Sequence, residues 1–266
     1  MVKDKTFIFV LMIRCMKNDI EKWWNNTAKK YQKESKIGTD SAHYGPYSSN
    51  ENKLRLLGNV KRKNILELGC GGGQCSISFA KQGAKCTGLD LSEEQIKHAK
   101  KLAKKEKVSV KFLKKDIQTL EGIKSESYDI VFSAFALQYV SDLTKCFKEI
   151  SRVLKKKGIF VFSLDHPFYL SLSTETLKIL NYNQSGKIEE IITWPDGSKH
   201  KFVMYKRKVS EIIDSVLESR LSLEKLIEPF DKKGEKAWKG GYWKNVYPKK
   251  LVEKVGPTII FKTKKN

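Results

Sequence analysis

The stretch that most constrains this chain is residues 64–76, Asn-Ile-Leu-Glu-Leu-Gly-Cys-Gly-Gly-Gly-Gln-Cys-Ser. Ile65, Leu66 and Leu68 form a short apolar run suited to a buried strand. Four glycines follow at 69, 71, 72 and 73, and a helical pattern resumes through Ile77, Phe79 and Ala80. Strand, tight glycine turn and helix make the first half of a βαβ unit. Glycine is required there because the backbone takes conformations that a Cβ forbids and lets a ligand approach the main chain. The dinucleotide fingerprint G-x-G-x-x-G would need its third glycine where Gln74 stands.

Downstream the chain alternates short apolar runs with amphipathic ones. Strands are predicted at 85–89, 108–113, 127–133, 159–164, 221–227 and 257–263, and helices at 74–82, after 92, at 143–154 and at 209–220. Ser92 with Gln95 makes a capping box for the second of these helices. The Lys-Lys-Lys-Gly run at 155–158 predicts a turn before the fifth strand. Residues 188–194 and 201–206, joined by Pro-Asp-Gly-Ser, predict a β-hairpin inserted over the sheet edge. The fold class is α/β, a Rossmann-like, mostly parallel seven-stranded sheet with helices on both faces. Four regions follow: an N-terminal helical or lid segment (1–63), a nucleotide-binding core (64–168), an inserted hairpin or substrate cap (169–208), and a C-terminal part of the same sheet with an aromatic-rich insertion (209–266).

Asp90 closes the second strand about 20 residues beyond the glycines, where a carboxylate accepts both ribose hydroxyls and repels a 2′-phosphate. The pattern Glu67-x-Gly69-x-Gly71-x-Gly73 resembles the first motif of class I S-adenosylmethionine (SAM)-dependent methyltransferases. Asp116-Ile117 after the third strand and the run 134–143 after the fourth are similar to that family's later motifs, although its frequent Pro-Gly-Gly is reduced to Gly158. The resemblance implies SAM as cofactor and S-adenosylhomocysteine (SAH) as product, with a last strand inserted antiparallel. It implies that Gly69, Cys70, Gly71 and Gly73 admit the methionine part and that Glu67 orients the glycine turn or the amino group. Asp90 and Leu91 then serve the ribose, Asp116 meets the adenine amino group, Ile117 packs on the ring, and Ala134, Phe135 and Gln138 lie near the sulfonium. No Asn-Pro-Pro-Tyr, Asp-Pro-Pro-Tyr or Pro-Cys follows the fourth strand, so resemblance to methyltransferases of exocyclic amino groups or of cytosine C5 fails.

The flanks supply candidates for the acceptor side. Residues 19–31 predict a helix, and its Trp24, Ala28, Tyr31 spacing resembles the segment that folds over bound SAM in small-molecule methyltransferases. Residues 41–47, with Tyr44, predict a lid loop. His166, in Asp165-His166-Pro167-Phe168 at the end of the fifth strand, is the candidate general base, with Tyr139 and His43 as alternatives. Tyr31, Tyr44, Tyr139, Trp194 and Trp243 are the substrate or lid candidates, and Trp238, Tyr242 and Tyr247 share the last one's segment.

Composition narrows the partners. A net charge of +22 permits a polyanion, but six arginines stand against 46 scattered lysines, whereas phosphate recognition favours the guanidinium fork. A small-molecule acceptor is therefore expected for O-, N- or C-methylation. A tRNA or rRNA methyltransferase is the alternative, and a nicotinamide oxidoreductase or an inactive SAM-binding subunit a lesser one. Five cysteines without a C-x-x-C pair indicate reduced thiols, a cytoplasmic location and no metal site, Cys70 and Cys75 being packing residues. The apolar run 6–16 is shorter than the roughly 20 residues a membrane span needs, so no membrane partner is expected. Lysine-rich helix begins after it, which suggests Met12 or Met16 as the start.

Overall fold

The computed structural model describes residues 5–193, 197–231 and 247–266, with side chains from Asn18 onward. Strands β1 (Asn64–Leu68), β2 (Lys85–Asp90), β3 (Val110–Lys114), β4 (Tyr128–Ala134) and β5 (Leu154–Asp165) pair in parallel. The hairpin strands β6 (Gly186–Thr193) and β7 (Lys199–Lys206) form a separate two-stranded sheet, and β8 (Leu221–Ile227) and β9 (Thr258–Lys265) complete the large one. The seven-stranded order is β3-β2-β1-β4-β5-β9-β8, with β9 antiparallel to both its neighbours. The expected Rossmann-like sheet with an inserted antiparallel last strand is thus present. The helices are α1 (Lys5–Ser35), α2 (Glu51–Leu54), α3 (Gln74–Lys81), α4 (Glu93–Lys105), α5 (Leu143–Val153), α6 (Val209–Leu217) and α7 (Lys249–Val252).

Period-2 alternation along β1 sets both layers. Leu66 and Leu68 point to the face covered by α5 and α6, where Phe147, Ile150, Ile212 and Val216 pack with Phe160, Phe162 and Phe261. Ile65 points to the other face, with Phe79 of α3, Tyr44, Leu56 and Leu57. Glu67 shares the face of Ile65, and its carboxylate is thereby delivered to the first turn of α3.

Several boundaries differ from the sequence pattern. The expected turn at 155–158 lies inside β5: Tyr128 pairs with Leu154 and Ile130 with Ile159, so four residues loop out between register points, with Lys157 at φ +62°. The first helix reaches back to Lys5 as one 31-residue element. The helix at 51 stops at Leu54 because Arg55 turns left-handed, and the Glu51 carboxylate then accepts the amides of Leu56 and Leu57 at 3.1 and 2.8 Å. The hairpin also packs against α1: Trp23 meets Phe202 edge-on at 5.1 Å and Lys201 reaches Asp19 at 3.0 Å. Glu21 pairs with Lys114 at 2.6 Å, and the Ser92 hydroxyl donates to Asn25 at 2.8 Å. These contacts hold α1 across the carboxyl ends of the strands. Among the described residues no helix is long and apolar enough to cross a membrane.

Candidate active site

A cavity of about 690 Å³ lies between the carboxyl ends of the parallel strands and a roof made by α1 and the hairpin. Its floor follows from the glycine turn. Gly69 has φ +66°, and a Cβ there would stand 2.2 Å from the Cβ of Ala136, so the crossing of the β1 and β4 ends depends on its bare Cα. Glu67 is buried beneath the turn and accepts the Ser76 amide at 2.8 Å and the Ser76 hydroxyl. It satisfies donors at the N-terminus of α3 that have no intrahelical partner. Burial pushes its carboxyl up to about 7, opposed by the Ser76 hydrogen bonds and reinforced by nearby Asp90.

Asp90 accepts the Gly71 amide at 2.8 Å on one oxygen and the Ser92 amide at 2.9 Å on the other, and still lines the cavity. Burial raises its carboxyl to about 6 against the pull of those amides. Each oxygen keeps a second lone pair for a ligand hydroxyl. Leu91, Asp116, Ile117, Ala134, Phe135 and Gln138 line the same cavity, as do Glu67, Gly69, Cys70 and Gly71. Asp116 accepts the Gln118 amide at 2.9 Å, which fixes the turn after β3. The residues expected to hold the cofactor therefore converge, with the exception of Gly73. That glycine caps α3 and faces Phe112, behind the turn.

The roof is aromatic. Trp24 meets Tyr31 and Tyr139 edge-on at 5.3 and 5.6 Å, and Tyr139 meets Phe202 at 6.1 Å; all four line the cavity. From the loop 41–47, His43, Gly45 and Pro46 reach the cavity and Tyr44 does not. Tyr44 is fully buried against Phe132 with its hydroxyl on Glu51, so the expectation of a substrate contact is corrected to an anchor for the loop. Gly45 lies on the Phe135 ring so closely that a Cβ would fall 1.9 Å from it. Burial lowers His43 to about 4, so its imidazole is neutral at pH 7. Trp194 and Trp243, with Trp238 and Tyr242, lie outside the described residues.

The expectation that His166 serves as base is also corrected. Its ring is buried away from the cavity, with Nε2 on Glu228 at 2.7 Å and Nδ1 accepting the Phe168 amide at 3.1 Å. It ties the end of β5 to the loop after β8. The neighbouring Asp165 lines the cavity instead; it accepts the Tyr247 hydroxyl at 2.8 Å and the Gln138 amide at 3.3 Å, and burial raises its carboxyl to about 6. Sequence reasoning passed over it because a histidine stood beside it, although strand alternation puts only one of two successive residues on the ligand side. Gln32 was missed as well. It donates to Gln95 at 2.8 Å and accepts from Gln74 at 2.6 Å, joining α1 to both helices beside the glycine turn. No short-range pattern marks a glutamine that acts 42 and 63 residues away.

The electrostatics of the cavity oppose those of the chain. Among the described residues five carboxylates line it (Glu67, Asp90, Asp116, Asp165 and Glu190) against one lysine, Lys30. That acceptor set suits a cationic ligand with hydroxyls. SAM fits it, since its sulfonium and ammonium outweigh its one carboxylate and its ribose carries a diol. Gln138 adds a buried carboxamide oxygen with no partner among the described residues. Burial raises the Cys70 and Cys75 thiols well above their ordinary range, so they stay protonated packing groups. Among the described residues no cluster of three or more His, Cys, Asp or Glu is placed to hold a metal.

Comparison with known proteins agrees with this geometry. The family described as "Methyltransferase domain" matches residues 66–162. An uncharacterised protein of Haemophilus influenzae is 28% identical over 192 residues, covering 66% of this chain and 74% of that one. A ubiquinone biosynthesis O-methyltransferase of Pelagibacter ubique is 30% identical over 167 residues, covering 63% of this chain and 65% of its own, just under two thirds of its length. Among solved structures, an S-adenosylmethionine-dependent methyltransferase from Mesorhizobium loti superposes with a TM-score of 0.63 at 23% identity, over 80% of this chain and 95% of that one.

Proposed function

We propose that this chain, a class I SAM-dependent methyltransferase by its domain and its fold, methylates a small, largely apolar acceptor enclosed beneath α1 and the β6–β7 hairpin. The observation that carries this reading is one cavity whose described lining combines an acidic floor with an aromatic roof. The strand order distributes its parts. Asp116 follows β3, Asp90 ends β2, the glycine turn follows β1, Phe135 and Gln138 follow β4, and Asp165 ends β5. A nucleoside over β2 and β3 puts the sulfonium over β1 and β4, and leaves the space beside β5 for the acceptor.

SAM supplies an activated methyl group, so the protein's share is alignment and exclusion of water. Asp90 and Asp116 hold the nucleoside, and Glu67 stiffens the turn on which the methionine part rests. Trp24, Tyr31 and Tyr139 close the roof. The five carboxylates favour a cationic cofactor and oppose phosphate groups inside the cavity, which supports a small molecule over an RNA nucleotide despite the charge of +22. The Pelagibacter relative is by name an O-methyltransferase of a small-molecule pathway, in line with a hydroxyl acceptor here.

Calorimetric titration with SAM, with NAD as control, tests the cofactor. Saturable SAM binding and silence toward NAD are expected. Incubation with methyl-labelled SAM and separated small-molecule and RNA fractions of a cell extract tests the acceptor class, with label expected in the small-molecule fraction. Label confined to RNA, or a folded protein that does not bind SAM, overturns the reading.

A further inference from the structure

The polar end of the cavity beside β5 carries more than shape. Asp165 is the last residue of β5, two positions beyond Ser163, which pairs with Ala134 of β4. Neighbouring strands lie about 4.8 Å apart, so Asp165 stands roughly two strand spacings across the sheet from the glycine turn. Each of its oxygens receives one protein donor, from Tyr247 and from Gln138, and keeps capacity for another. The Gln138 carboxamide N–H donates to Asp165, and its own oxygen, on a buried side chain that lines the cavity, has no partner among the described residues. The Tyr169 hydroxyl, on a side chain only 6% exposed that also lines the cavity, likewise has none among the described residues. Buried polar atoms left unsatisfied are costly, and here they gather at one end of a ligand cavity.

Two acceptors side by side, a carboxylate and a carboxamide oxygen, call for two adjacent donors on the ligand. The same cavity is lined by flat rings: Trp23 and Phe202, Trp24 and Tyr139, and Tyr139 and Phe202 meet edge-on. An aromatic ring fills such a box through offset and edge contacts. Resting on the function proposed above, we infer that the acceptor is an aromatic vicinal diol, a catechol, and that Asp165 is the catalytic residue that takes its proton. One hydroxyl lies on Asp165 and the other on the Gln138 oxygen. In the transfer the acceptor O–H bond breaks and its proton passes to the Asp165 carboxylate. The oxygen pair forms the O–CH₃ bond, and the electrons of the S–CH₃ bond remain on sulfur as the neutral thioether.

The titratable groups facing Asp165 are Tyr247 and Tyr169, phenols that burial pushes up so that they stay neutral across the range of interest; the His166 ring turns away to Glu228. The carboxylate form of Asp165 therefore governs acceptor binding near pH 6.

The test uses SAH-loaded protein titrated calorimetrically with catechol, and with 1,2-dimethoxybenzene as the analogue that lacks both protons. Catechol binds and the dimethoxy analogue does not. Affinity for catechol rises about tenfold from pH 5 to pH 7.5 as Asp165 ionises. Asp165→Asn binds SAH like the wild type, loses that pH dependence, and methylates catechol to its monomethyl ether roughly 100-fold more slowly, the scale of a lost general base. Tyr169→Phe deletes a hydroxyl that has no partner among the described residues, so it spares folding, and it weakens catechol about fivefold at unchanged SAH affinity. Protein that binds SAH but not catechol overturns this inference alone. So does catechol binding that neither variant alters. Protein that binds neither SAM nor SAH overturns the methyltransferase reading itself.

Discussion

The two halves of the cavity are built differently. On the side of β1, β2 and β3, carboxylates are fixed by backbone amides: Glu67 by Ser76, Asp90 by Gly71 and Ser92, Asp116 by Gln118. On the side of β5 and the roof, side chains hold side chains: Asp165 with Tyr247 and Gln138, Trp23 with Phe202, Trp24 with Tyr139. Amides belong to the main chain and survive substitution of their own residue, so the first half is rigid and generic. The second half changes whenever one of its side chains changes. A fold that keeps its cofactor and varies its acceptor needs this asymmetry.

The largest effect is expected where the generic half has no slack. Gly69→Ala puts a methyl 2.2 Å from the Ala136 Cβ at a residue with φ +66°. Strain and overpacking of this kind cost about 2–3 kcal/mol. SAM affinity measured by calorimetry should fall roughly 100-fold, at about 1.4 kcal/mol for each factor of ten, while the helical far-ultraviolet spectrum is kept. Loss of fewer than a few fold would mean that the turn yields, and that the contrast between the halves is smaller than drawn.

Asp90 gives the next largest effect, and its sign with pH can be worked out. Its carboxyl sits at about 6 in the fold, raised by burial. Hydrogen bonds from ribose hydroxyls need the carboxylate, so SAM affinity is full above that value and declines as pH falls from 7.5 to 5. A hydrogen bond to a charged group is worth about 1.5–3 kcal/mol. Asp90→Asn should therefore weaken SAM roughly 10- to 100-fold at pH 7.5 and flatten the decline toward pH 5. An unchanged pH profile in the variant would assign the titration to Glu67, whose carboxyl lies at about 7.

Phe202→Ala probes the other half. The ring lines the cavity from β7 and meets Trp23 at 5.1 Å and Tyr139 at 6.1 Å. Aromatic pairs contribute about 0.5–1.5 kcal/mol beyond area burial. Catechol binding to SAH-loaded protein should weaken roughly five- to tenfold, with SAH affinity within a factor of two. Equal loss of both ligands would show that the hairpin serves the cofactor too.

The same asymmetry explains what the sequence made legible. The glycine turn and Asp90 are contiguous with the strands that carry them, so strand patterning and fixed spacing mark them, while Glu67 and Asp116-Ile117 are marked by the resemblance to the methyltransferase motifs. The sheet order followed as well, because each βαβ unit has few ways to pack. The acceptor half is assembled from α1, the loop 41–47, β5, the hairpin and Tyr247, which are remote in sequence. Neither periodicity nor spacing tells which residue of the pair Asp165 and His166 faces the ligand. That depends on Pro257 accepting the His166 amide at 2.8 Å and on Glu228 receiving its ring. Tyr44 misled for a related reason: an aromatic in a glycine-proline loop suggests a lid contact, and the buried Glu51 carboxylate that claims its hydroxyl is encoded seven residues on.

The smallest predicted effect bears on whether the halves are independent. Gln32 links α1, the shared roof, to Gln95 of α4 and Gln74 of α3 on the cofactor side, at 2.8 and 2.6 Å. Neutral hydrogen bonds contribute a net 0.5–1.5 kcal/mol or so each. Gln32→Ala loses both, while the Asn25–Ser92 and Glu21–Lys114 contacts still hold the helix. SAM affinity should drop roughly threefold to fivefold, and hydrogen exchange along residues 20–35 should quicken. The catechol titration then decides the coupling. If catechol affinity for SAH-loaded protein is unchanged, the acceptor half rests on the hairpin and β5, and the cofactor half can be tuned alone. If it falls by the same factor, α1 transmits the state of the cofactor site to the acceptor site, because a single rigid helix cannot loosen over one end of the cavity without opening the other.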